Sequence, residues 1–136
     1  MFLRYAFLAD SAFLDAQGKV TATGIFDYIY AAKFPVKHRD MVLVAKLEGT
    51  ESETGDHKFA IEMRDDKSNR LVAFEQKIAL TRSETRTVTA GVIIKIQDFV
   101  FQKPGQYELV MFVNDRFLGR VIFEVRKVHI KEEGAT

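Results

Sequence analysis

The chain has 136 residues, 20 Lys and Arg against 19 Asp and Glu, and no cysteine. A chain of that length makes one domain that buries a core without staples, and the missing thiols exclude disulfides, thiolate metal sites and a cysteine nucleophile. A formal net charge of +1 gives no global field to attract nucleic acid or an anionic membrane, while 47% hydrophobic content with 12 Phe describes an aromatic-rich globular core rather than disorder.

Phe2 to Leu14 is apolar on both parities and predicts a strand, with a bulge or bend at Asp10-Ser11 and a turn from Asp15 to Lys19. Arg4 and Asp10 interrupt it and no cleavage site follows, so neither a signal peptide nor a membrane span is expected and the cytosol is the expected compartment. Lys19 to Tyr30 returns as the second arm of a hairpin, with Gly24 predicting a bulge or a close backbone approach. Ala31 to Asp40, containing Pro35, predicts a crossover rather than a strand. Met41 to Glu48 then places Met41, Leu43, Ala45 and Leu47 on one face and Val42 and Val44 on the other.

A polar loop from Gly49 to Asp56 precedes the cleanest alternation, Phe59, Ile61 and Met63 inward against Lys58, Glu62 and Arg64 outward. Leu71 to Leu80 and Arg86 to Ile96 predict two further strands, aligned on Val72, Phe74, Ile78 and Leu80 and on Val88, Ala90, Val92, Ile94 and Ile96. Pro104 to Arg126 predicts a hairpin about Asn114-Asp115, a pair that tolerates the positive φ of a tight turn. Its inner face is expected to hold Tyr107, Leu109, Met111, Val113, Phe117, Val121, Phe123 and Val125. Its outer face, with Val110, Phe112, Leu118 and Ile122 among Glu108, Arg120 and Glu124, is more apolar than a solvated sheet face requires. Lys131 to Thr136 reads as a frayed tail.

Chemistry has little to stand on. His38, His57 and His129 each lie beside a charged residue at the periphery, where a solvated side chain is the ordinary role, and no HExxH or HxH spacing supports zinc. Asp65, Asp66 and Asn69, with Asp56 or Asp115, are the acids to weigh for calcium, and their spacing fits turns better than an alternating calcium loop. Asp10 and Asp27 sit within apolar strands and are the acids to test as a buried dyad, against structural roles at a bulge or facing water. Arg82, Arg86 and Lys95, or Arg126 and Lys127 with Lys131, read as edge-protecting charges rather than a nucleic-acid patch.

The motifs from Asp10 to Lys19 (DSAFLDAQGK), Gly24 to Pro35 (GIFDYIYAAKFP), Leu47 to Gly49 (LEG), Pro104 to Tyr107 (PGQY) and Leu118-Gly119 together resemble a family of small prokaryotic proteins carrying a domain of unknown function. The resemblance spans nearly the whole chain and implies a single immunoglobulin-like or C2-like sandwich, with no activity or catalytic residue to carry over. The expectation is therefore an all-β, antiparallel β-sandwich of about eight strands. Its expected role is non-enzymatic, as an interaction or structural module that binds a protein partner or itself through Val110, Phe112, Leu118 and Ile122. No cofactor, catalytic residue, metal, nucleic acid or membrane insertion is expected. The alternative is an apolar small-ligand carrier, such as one for lipid, whose strands close into a barrel around a cavity.

Overall fold

The computed structural model describes residues 1–83 and 86–129, so the tail expected at 131–136 lies outside the described residues. The strands are β1 (Phe2–Leu14), β2 (Val20–Phe26), β3 (Tyr28–Ala31), β4 (Val36–Gly49), β5 (Gly55–Arg64), β6 (Arg70–Arg82), β7 (Val88–Phe101), β8 (Gly105–Val113) and β9 (Arg116–Lys127). A 3-10 turn, η1 (Glu51–Glu53), precedes β5. The fold is all-β: one nine-stranded sheet in the order β2-β1-β4-β7-β6-β5-β8-β9-β3, curled until it is nearly barrel-shaped.

β6 is the strand about which the sheet curls. It runs beside β5 from Arg70 to Leu80 but meets β7 only at Thr81 and Arg82. The two halves of the sheet therefore splay apart below that contact. On the far side β1 and β9 close together, where Leu3 lies over Gly119 so tightly that a Cβ there would stand 2.9 Å from Leu3 Cδ2. A side chain there would have to push the Leu3 tip aside.

The alternations read from the sequence place the core. Met41, Leu43, Ala45 and Leu47 stand opposite Ile96, Ile94, Val92 and Ala90, and Phe59, Ile61, Met63, Leu109 and Met111 face them from the other half, all buried. Val42 and Val44 bury as well, on the outer face with Ala9, beneath Phe7, Ala12, Val20, Ala22 and Ile93. Hairpin β1-β2 thus covers part of its own half of the sheet.

Four expectations are corrected. The described residues form nine strands rather than about eight, because the chain bends at Asp27 and β3 leaves β2 to pair in parallel with β9, making the sheet mixed rather than purely antiparallel. The crossover is shorter than Ala31 to Asp40: β4 begins at Val36, because Pro35 lies just ahead of the ladder and Lys37 and Arg39 point outward along it. Phe117 is not in the core. A register shift after Met111 pairs Phe112 with Phe117 and Met111 with Gly119, so the extra residue Leu118 turns Phe117 out of the core. Finally, Asp10 and Asp27 are exposed acids rather than buried ones, and no buried polar or charged residue occurs among the described residues.

Candidate functional site

The outer face of β3, β9 and β8 carries the apolar surface expected from the sequence, in altered form. Asn114 and Asp115 take φ values of 50° and 67°, the geometry of a tight primed turn, and the bulge that follows sets the face. Phe112 and Phe117 meet edge to face with centroids 6.4 Å apart, and the Arg64 guanidinium lies 5.8 Å from the Phe112 ring centroid. Val110 is only 2% exposed, in the ladder between Glu62 and Arg120. Leu118 packs against the core. Of the four candidates, then, Phe112 and Ile122 remain at the surface, Ile122 45% exposed.

Charge on this face is satisfied within the chain. Arg64 donates to Glu62 Oε2 from Nε at 3.0 Å and Nη2 at 2.7 Å, and Arg70 approaches the other carboxylate oxygen at 3.6 Å. The Arg64 hydrogen bonds, with the Arg64 and Arg70 charges, hold the Glu62 carboxyl below its usual range. Arg120 reaches Glu108 at 3.4 Å.

The sequence reading missed Tyr28 and Tyr30. β3 sets them opposite Glu124 and Arg126 on this same face, their rings stacked at 6.4 Å, with the Arg126 guanidinium 3.9 Å from the Tyr28 ring centroid. Arg126 also bonds Glu124 at 3.1 Å, which raises its affinity for the proton. Their shared parity about Ile29 was readable; their neighbourhood to Ile122 depended on the parallel pairing with β9.

A second feature lies in the splay between β6 and β7. A cleft of about 520 Å³ is lined by Leu71, Val72, Phe99, Val100, Gln102, Lys103, Tyr107 and Asp65. The Tyr107 hydroxyl donates to the Lys103 carbonyl at 2.5 Å, and burial pushes its phenol up. Asp65 accepts from the backbone N–H of Lys67 and Asn69 and from Asn69 Nδ2, and these bonds, the Asn69 backbone first, hold its carboxyl low. Asp65 therefore serves its turn. Among the described residues no group of three His, Cys, Asp or Glu is placed to hold a metal ion.

The remaining candidates are dispersed. Asp10 lies against Gly24 while Asp27 marks the corner between β2 and β3, and no hydrogen bond or ion pair joins them. His129 is exposed, as expected, but the other two histidines are half-buried rather than solvated. His38 packs 6.1 Å from Phe26 with its Nε2 shielded and without a hydrogen-bond partner among the described residues. His57 is built into a chain of bonds: Asn114 Oδ1 accepts from Lys58 N–H at 3.0 Å, so Asn114 Nδ2 donates to His57 Nδ1 at 2.9 Å and His57 Nε2–H donates to the Glu53 carbonyl. Its role is to fasten the β8-β9 turn to η1. Arg82 pairs with Glu51 at 3.4 Å.

Residues 4–126 match the model of a family of unknown function, DUF6941. No curated protein matches the chain. Among solved structures it is similar to Pseudomonas fluorescens alkylpurine DNA glycosylase AlkC bound to DNA containing an abasic site analog, at 15% identity and a TM-score of 0.46, over 89% of this chain and 30% of that one. The chain thus spans less than a third of that protein, and a likeness of this strength bears on nothing further.

Proposed function

Since the chain belongs to DUF6941, a family of unknown function, we propose its role from the molecule itself: it is a non-enzymatic protein-interaction module that associates with itself. The observation that carries this reading is the number of large apolar side chains left outside the core, with Ile25, Tyr30 and Phe117 each at least 60% exposed. Tyrosine, phenylalanine and arginine together, as on the outer face of β3, β9 and β8, are the residue types that anchor protein interfaces. That face, with Phe112 and Ile122, is the proposed surface for a protein partner; Val110 and Leu118 support it from below.

We read the curled sheet as two layers joined through β6, a sandwich of the immunoglobulin-like or C2-like kind. The Tyr107 hydroxyl bonded to a carbonyl four residues upstream resembles the tyrosine corner of such sandwiches and supports that grouping. The cytosol is its proposed compartment, in keeping with a chain that has no cysteine. Multi-angle light scattering over a wide concentration range tests the self-association: a dimer is expected, and a monomer at every concentration overturns it.

A second reading, an apolar-ligand carrier, is favoured by the cleft between β6 and β7, whose walls Leu71, Val72, Phe99 and Val100 are apolar. On that reading native mass spectrometry of wild type detects a bound lipid that the Val100→Arg protein lacks. An unliganded wild type that also fails to bind a fluorescent fatty acid removes the carrier.

A further inference from the structure

We propose that the cleft between β6 and β7 binds a long-chain carboxylate, its alkyl chain against Leu71, Val72, Phe99 and Val100 and its carboxylate at the Lys103 ammonium. This deepens the carrier reading above and rests on it. The cleft exists because the ladder between β6 and β7 is confined to Thr81 and Arg82, so the two strands stand apart over the rest of their length and apolar side chains line the gap. At about 520 Å³ the gap falls within the range of small-molecule pockets, roughly 300–1,000 Å³.

The walls ask for an apolar group. Tyr107 is buried, and its hydroxyl already donates to the Lys103 carbonyl, so its one O–H is spent. Val72 and Phe99 are half-buried, while Leu71 and Val100 are 44% and 41% exposed, so the lining grades from covered to open. An alkyl chain laid along these side chains takes their apolar surface out of water and strands no polar group of the protein.

The mouth sets the charge of the ligand. Its two charged residues are Asp65 and Lys103, with the exposed Gln102 beside them. Asp65 is engaged: Oδ1 accepts from the backbone N–H of Lys67 and of Asn69, and Oδ2 accepts from Asn69 Nδ2. Lys103 is not. After the bonds from Asn69 and Lys67, the Lys103 charge also helps to hold the Asp65 carboxyl low, which sets the ammonium on this side of the cleft, yet Lys103 forms no ion pair among the described residues. The mouth therefore has donors to give, on the ammonium and on the Gln102 amide, while its carboxylate is already occupied. An acceptor-rich anion matches that inventory, and a carboxylate at the end of an alkyl chain satisfies mouth and walls together.

Calorimetric titration with decanoate, decanol and decyltrimethylammonium, each below its micelle-forming or solubility limit, tests the assignment, and methyl NMR spectra locate the site. Wild type is expected to bind decanoate with shifts at the Leu71, Val72 and Val100 methyls. Lys103→Gln is expected to weaken decanoate about two- to fivefold, the range for an exposed ion pair, and to leave decanol unchanged, while Lys103→Arg keeps both affinities. Circular dichroism of both variants, at an exposed position, is expected to match wild type. Binding at these methyls with a decanoate affinity that Lys103→Gln does not change keeps the carrier and overturns the carboxylate. Tighter binding of decyltrimethylammonium than of decanoate assigns the mouth to Asp65 and overturns it as well. Shifts confined to other methyls overturn the site, and a wild type that binds none of the three overturns the carrier and this inference together.

Discussion

Replacing Phe101 with alanine is expected to destabilise the fold by about 3–5 kcal/mol, the range for removing a large aromatic from a close-packed core. Phe101 is 1% exposed and sits at the centre of a four-ring cluster, 4.7 Å from Phe99, 4.9 Å from Tyr107 and 5.9 Å from Phe123, each contact edge-on. It reaches that place because β7 changes faces. Up to Ile96 the even-numbered residues point inward; beyond Asp98, whose φ is 54°, the odd-numbered Phe99 and Phe101 do. β4 changes faces at the same level, so Val36 opposite Phe101 also turns to the core. The paired switch draws this end of the sheet over the aromatic cluster and leaves Phe99 both in the cluster and at the wall of the β6-β7 cleft. Phe117→Ala is the matched control, expected within about 0.5 kcal/mol of wild type because that ring, 65% exposed, touches Phe112 outside the core. Urea denaturation followed by tyrosine fluorescence measures both. Equal midpoints for the two variants would contradict the face switch at Asp98.

Period-two reading recovered the strands wherever each ran without interruption. β5 and the first part of β7 have the inward residues expected of them, because alternation in sequence is alternation in space as long as the ladder stays regular. It failed at single residues that change parity. Leu118, inserted opposite β8, moved Phe117 from core to surface, and at Asp98 the parity of β7 reverses beyond the strand expected to end at Ile96. A one-residue slip reverses every side chain beyond it, and nothing in the composition of the neighbouring segments marks where the slip occurs. The outer face of the last hairpin was legible as unusually apolar, but not that Val110 would be buried between Glu62 and Arg120. That depends on β5 lying beside β8, a pairing of residues about fifty apart in sequence. Tyr28 and Tyr30 joined the face only because Asp27 sends β3 to the opposite edge of the sheet, a matter of topology that no local pattern encodes.

Gly24 was legible, and it supports the second large effect. Its φ of 68° is one that a side chain adopts only at a penalty, and an ideal Cβ at this position would fall on the Asp10 carboxylate across the β1-β2 pair. Gly24→Ala is therefore expected to destabilise by about 2–3 kcal/mol, combining the left-handed strain with displacement of Asp10. The two causes separate in a double-mutant cycle. Asp10→Ala alone, at an exposed position, leaves stability near wild type. In the Gly24→Ala background it removes the collision but not the strain, so it recovers part of the loss and not all of it. Full recovery would mean that φ at Gly24 relaxes without penalty, and no recovery would mean that the carboxylate was never in the way. The bend matters beyond β2 itself. At this level the inward residues Leu8 and Phe26 give way to Ala12, Val20 and Ala22 packing on the outer face against Ala9, Val42 and Val44. A Gly24→Ala protein that keeps its fold but frees the hairpin tip would show faster amide exchange at Phe13 and Thr21, a pair bonded to each other across the hairpin, with Leu43 and Leu47 still protected.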